Sequence, residues 1–132
     1  MELSDYFETT KGLGVLATAD GGGRVDTAIY SRPHFMEDGT LAFIMKNRLS
    51  HANLQANPFA SYLFVEEGPG YKGKRLYLRK VGEETETERL YRLRRRITPP
   101  EGDPENDPRF LVFFELERVR PLVGDAEDPV SA

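Results

Sequence analysis

Lys46-Asn47-Arg48-Leu49-Ser50-His51-Ala52-Asn53-Leu54-Gln55-Ala56-Asn57-Pro58 lies between two short apolar runs, and its reading decides how the chain folds. Upstream, Leu41-Ala42-Phe43-Ile44-Met45 is too short for a typical helix and follows the turn pair Asp38-Gly39, so it predicts a buried strand ending at Lys46. Downstream, Phe59-Ala60-Ser61-Tyr62-Leu63-Phe64-Val65 predicts another strand, aromatic and in part β-branched. Between them Ser50 is a good N-cap residue, and Ala52, Leu54, Gln55 and Ala56 favour helix. Pro58 disfavours helical geometry at Asn57, so the helix lasts about two turns.

A helix N-terminus presents N–H groups without intrahelical partners and carries partial positive charge, which suits a phosphate. Arg48, Ser50 and His51 fall beside that point. Residues 39–65 contain no Asp or Glu but hold Lys46 and Arg48, in a chain of net charge -4, so an anion meets no local repulsion there. The stretch reads as a phosphate cradle. The same residues also read as an ordinary capped helix flanked by solvated charges.

Working outward, residues 3–11 predict a short helix capped by Ser4, with Leu3 and Phe7 on one side and Gly12 ending it. Residues 13–19, followed by the turn Asp20-Gly21-Gly22-Gly23, predict a first strand and hairpin. Residues 24–36 set Val25, Thr27, Ile29 and Ser31 against Ala28 and Tyr30, a second strand whose far half Pro33 demotes to an edge or bend. Residues 68–73 form a loop, and residues 74–81 set Leu76 and Leu78 against Arg75, Tyr77, Arg79 and Val81 as a half-exposed fifth strand. From residue 83 to 97 the period becomes helical, with Leu90, Leu93 and Ile97 aligned and Thr85-Glu86-Thr87-Glu88 as a capping box. An acidic, proline-rich loop at 99–108, a last strand at 110–119 and a disordered tail at 124–132 complete the chain.

Six strands, mostly sequential neighbours, with short helices predict a mainly β, antiparallel barrel whose closure removes most edges. At 132 residues the chain is one domain over 1–123, large enough for a core but small for enclosing a cofactor unaided, so dimerisation is expected. No cysteine is present, which excludes disulfides, thiolate nucleophiles and cysteine-based metal sites. The two histidines, His34 and His51, have no accompanying carboxylate cluster, and no metal site is expected. Residues 1–11 carry Glu2, Asp5 and Glu8 and no apolar run, so neither a signal peptide nor a membrane span is expected and the protein reads as cytoplasmic. Arg92-Leu93-Arg94-Arg95-Arg96 invites a nucleic-acid reading, but acids first and bases last is what a helix dipole favours. With net charge -4 as well, no nucleic-acid partner is expected.

A strand ending in a polar residue, then Arg48-Leu49-Ser50-His51, Asn53-Leu54 and Asn57-Pro58, then a strand opening Phe59-Ala60-Ser61-Tyr62-Leu63-Phe64, resembles the FMN-binding split barrel of the pyridoxamine 5'-phosphate oxidase-like flavoproteins. The resemblance runs from about Leu13 to Val123 and is most specific over the cradle and the preceding hairpin, 25–45. It implies a six-stranded antiparallel split β-barrel and a homodimer with FMN at the subunit interface. Carried onto this sequence, it implies that Arg48, Ser50 and His51 hold the phosphate while Lys46 adds charge nearby. Ala28, Ile29, Tyr30 and Ser31, with Ile44 and Met45, would line the ring through backbone and side chains. Tyr71 and Arg75, reaching over from the second copy's 68–75 loop, would close over it. Asn53 either reaches the site or caps a neighbouring loop.

The chain departs from the oxidase proper in three ways. It lacks the paired Arg and Lys of the phosphate turn, it stops short of a C-terminal Arg-Leu-His type substrate clamp, and it has no Trp to stack on a flavin. The resemblance therefore implies an FMN oxidoreductase passing electrons or hydride between a soluble donor and an unidentified acceptor, and not a true pyridoxamine 5'-phosphate oxidase. The flavin would do the chemistry, and no catalytic side chain is assigned. The alternative is a non-redox or haem-associated binding module on the same dimeric barrel.

Overall fold

The computed structural model describes residues 2–85, 87–97 and 109–126, apart from the side chains of residues 91 and 94–97. The elements in order are α1 (Leu3–Thr9), β1 (Gly12–Ala19), β2 (Val25–Ile29), β3 (His34–Phe35), β4 (Leu41–Lys46), α2 (Leu49–Ala56), β5 (Phe59–Glu66), β6 (Gly73–Thr85), α3 (Glu88–Ile97) and β7 (Arg109–Pro121). The strands form one sheet of seven in the order β2-β1-β5-β6-β7-β4-β3. All pairs are antiparallel.

That order forces the sheet to roll. Laid flat, seven strands would hold β2 and β3 about 29 Å apart, at about 4.8 Å per strand. The five Cα steps from Ile29 to His34 reach only about 17 Å. The two edges must therefore lie close together, which makes the sheet a split barrel.

The expected second strand at 24–36 is thus two strands, and the expected six are seven. Tyr30 keeps one last bond to β1, its N–H donating to the Gly14 carbonyl at 3.0 Å. Pro33 has no N–H to continue the ladder, and the chain leaves β1 to pair with β4 instead. The Tyr62 hydroxyl donates to the Tyr30 carbonyl at 3.1 Å, pinning the start of this crossover from inside the barrel. Position 14 must be glycine for this, because a Cβ there would lie 1.8 Å from the Tyr62 hydroxyl.

The barrel core holds Leu16, Leu41, Phe43, Met45, Tyr62, Leu76, Leu78, Val112 and Phe114, all essentially fully buried. Helix α1 closes one end by inserting Leu3 and Phe7 into this cluster. Its N-cap is Glu2, with no side-chain cap bond, rather than the expected Ser4. At the β1–β2 turn the Asp20 carboxylate accepts the N–H groups of Gly22 and Arg24, each at 2.9 Å.

The largest departure lies after residue 81. Instead of turning helical at Glu83, β6 runs on to Thr85 through register shifts at Tyr77/Leu78 and Lys80/Gly82, because residues 110–113 of β7 offer a backbone ladder. Helix α3 begins only at Glu88, where the Thr87 hydroxyl accepts the Leu90 N–H at 3.4 Å. Leu90 packs with Ala42, Leu111 and Phe113 in a second cluster on the outside of β4 and β7. Glu86 of the expected capping box, the 99–108 loop and residues 127–132 lie outside the described residues.

Candidate functional site at the start of the short helix

Helix α2 starts one residue before Ser50. Arg48 is the N-cap, in extended geometry and with no side-chain cap bond, so the expected Ser50 cap is the second residue of the helix instead. The Ala52 N–H, donating to the Arg48 carbonyl at 3.0 Å, makes the first intrahelical bond. The N–H groups of residues 49–51 therefore point out of the helix start.

Three of the expected residues meet here. The half-buried Tyr30 hydroxyl is hydrogen-bonded to Ser50 and lies within electrostatic reach of Arg48. Burial raises the Tyr30 pKa above the ordinary phenol value, and Asp26 adds to this, while the Ser50 bond and the Arg48 charge oppose it. Tyr30 is thus a neutral donor at working pH. Ser50 is 5 % exposed and Arg48 lies in solvent, so hydroxyls backed by the barrel stand beside an exposed guanidinium. Lys46, half-buried at the end of β4, is one turn away in sequence and pairs in register with Arg109.

His51 does not join them. Its Nε2 lies 3.1 Å from both carboxylate oxygens of Glu83, and its ring stacks on Phe110 with centroids 3.8 Å apart. Lys80 Nζ donates to the same carboxylate at 2.6 Å and Gln55 at 3.0 Å. Burial alone would raise the Glu83 pKa, but Lys80, Gln55 and His51 outweigh it and hold Glu83 down at about 2. His51 Nε2 is therefore already engaged within the chain, by the Glu83 carboxylate. Asn53 is likewise internal, its amide donating to the buried Thr18 hydroxyl at 3.0 Å.

The expected ring-lining residues divide. Ala28 is half-buried, Ser31 exposed, and Ile29 is 67 % exposed on the outer face of β2. Met45, by contrast, is wholly inside the core, and Ile44 packs against the α3 cluster. The alternation of β4 sends these two side chains to opposite sides, Met45 into the barrel core and the half-buried Ile44 against the α3 cluster. Tyr71 is 85 % exposed in its loop. Arg75 is held on its own chain by bonds to the carbonyls of Pro121, at 2.9 Å, and Gly124.

A separate groove of about 700 Å³ lies between α1, the crossover and α3, lined among others by Phe7, Arg32, His34, Phe35, Asp38 and Arg92. None of the residues expected from the sequence lines it. No group of three or more metal-ligating side chains occurs among the described residues, and no helix among them is long and apolar enough to cross a membrane.

No protein-family model matches the chain, and neither does any curated protein. Solved structures do. An FMN-binding protein from Syntrophomonas wolfei subsp. wolfei superposes with a TM-score of 0.70 at 20% identity, over 92% of this chain and 84% of that one. An F420 reductase superposes at 0.66 and 18% identity, over 83% and 89%. A pyridoxamine 5'-phosphate oxidase-related, FMN binding protein from Nostoc punctiforme superposes at 0.57 and 17% identity, over 86% and 73%.

Proposed function

We propose that this chain, which has the split-barrel fold of FMN-binding and pyridoxamine 5'-phosphate oxidase-related proteins, is itself an FMN-binding oxidoreductase. The observation that carries the reading is the meeting of Tyr30, Ser50 and Arg48 at an α2 terminus whose cap residue makes no side-chain bond. The donor set fits a phosphate: two hydroxyls, a guanidinium, and helix N–H groups with the positive end of the dipole behind them. Lys46 adds charge nearby. When bound, FMN would supply the redox chemistry. The chain's own part is to hold the phosphate, to present the backbone of residues 28–31 as a wall, and to exclude water.

Water exclusion calls for a second copy. Leu13, Val25, Ile29 and Leu49, each more than half exposed, lie on or next to the cradle side of the sheet. We take this face as the homodimer interface, with the cofactor at its border and a soluble donor and acceptor reaching it in the cytoplasm.

The test is the visible absorption spectrum of protein purified without added cofactor, followed by mass spectrometry of what heat releases. Released FMN at about one per chain supports the reading. A colourless protein that also takes up no added FMN overturns it. Because an F420 reductase shares the fold, F420 belongs in the same titration as a second ligand.

A further inference from the structure

The groove between α1, the crossover and α3 is lined by seven residues in succession, 32–38. A strand face would contribute alternate residues only, so the groove follows the edge of β3 and not a face of it. The other edge of β3 is taken by β4, and β3 ends the strand order among the described residues, so this edge is the free one. Two helices wall it, each through one i, i+3, i+4 face: Ser4, Phe7 and Glu8 on α1, and Arg89, Arg92 and Leu93 on α3.

The register decides which backbone groups that edge offers. The Met36 N–H donates to the Thr40 carbonyl at 2.9 Å, which makes Met36 and Thr40 a hydrogen-bonded pair. Such pairs alternate along an antiparallel ladder, so Phe35, opposite Leu41, turns its N–H and C=O away from β4. Pro33 before β3 and the turn after it keep the edge short, so it can take one short segment and cannot template an open-ended assembly. Charge runs along it from end to end. Arg32, bonded to the neutral carbonyls of Phe7 and Glu8 at 2.6 and 3.2 Å, stands at the crossover end, and the exposed Glu37 and Asp38 stand at the turn end.

We propose that this groove binds a short extended peptide with free ends, added to β3 as a further strand. Its backbone bonds to Phe35, its amino group faces Glu37 and Asp38, and its carboxylate faces Arg32. A peptide so placed runs antiparallel to β3, as every other pair in the sheet does, so charge and ladder require the same direction. Residues 33–37 span at most about 17 Å, at about 3.4 Å per residue, which sets the occupant at up to about five residues. None of Tyr30, Ser50 and Arg48 lines the groove, so this site stands independently of the cofactor reading.

The probe is a pentapeptide of alternating threonine and valine with free ends, added at up to about 1 mM to isotope-labelled protein while the Phe35 amide is followed by NMR. The Phe35 signal should shift saturably, and its hydrogen exchange should slow by about tenfold or more. Of two peptides N-methylated at the third residue or at the second and fourth, one should still bind and the other should not, because a strand bonds through alternate residues. Blocking the peptide's two ends should weaken binding by about tenfold. Glu37→Lys, a change in the exposed turn, should weaken the free peptide more than one with its amino end blocked. An unmoved Phe35 amide, equal behaviour of the two methylated peptides, or equal binding of free and blocked peptides overturns the proposal. So does a Phe35 amide already protected in a dimer that the peptide splits, since a second copy would then fill the edge.

Discussion

Ser50 and His51 are successive residues of one helical turn with nearly equal exposure, 5% and 8%, yet they serve opposite sides of it. Ser50 meets the Tyr30 phenol, which in turn lies within electrostatic reach of Arg48. His51 meets a carboxylate that already has Lys80 and Gln55, so its charge is balanced inside the protein. The difference teaches that polar residues at a helix start divide by what the rest of the fold places opposite them. One side is open and suited to binding, the other closed and suited to anchoring α2 to β6 and β7.

The sharpest way to break the comparison is at the closed side. His51→Ala removes a buried ring from Phe110 and a partner from Glu83, and should lower stability by about 2–4 kcal/mol in urea unfolding. Protein that stays folded should still bind FMN. On the open side, Arg48→Ala should weaken FMN binding by about 1–3 kcal/mol. Because Arg48 is exposed, stability should stay within about 0.5 kcal/mol. A stability loss as large as that of His51→Ala would erase the distinction between the two sides.

Tyr30→Phe isolates one hydroxyl and should cost about 1 kcal/mol of FMN affinity. A double-mutant cycle with Ser50→Ala then reports whether the two hydroxyls act together, as their hydrogen bond requires. The smallest effect is on pH. Glu83 is held down at about 2 from an ordinary 4.5, so the stability it contributes is fully present above pH 4.5 and is lost as pH falls toward 2. Glu83→Gln should flatten this part of a stability profile measured by urea unfolding, and an unchanged profile would remove Glu83 from the anchor.

Much of the fold was legible in the sequence wherever local pattern and tertiary pairing agree. The apolar run of β4, the alternation of β1 and β5 and the two-turn α2 are all observed within a residue or two of expectation. The failures share a cause, which is partners distant in sequence. The break at Tyr30 depends on Tyr62, and the extension of β6 depends on β7, across the 99–108 segment. Local pattern favoured helix at Glu83 and the ladder overrode it.

The site divides in the same way. That Arg48 and Ser50 fall at the start of α2 was legible because the local pattern marks the start of a helix. The contact of the Tyr30 hydroxyl with Ser50, 20 residues away in the chain, has no local signal. Nothing local to His51 signals its contact with Glu83, 32 residues on in the chain.

One titration bears on the central claim most directly: FMN fluorescence quenching by wild type, Arg48→Ala and Glu83→Gln, side by side at neutral pH. Wild type should bind, Arg48→Ala should bind about tenfold or more weakly, and Glu83→Gln should match wild type within about twofold. No quenching by wild type, or a loss in Glu83→Gln equal to that in Arg48→Ala, would contradict the assignment of the open side of α2 to the cofactor.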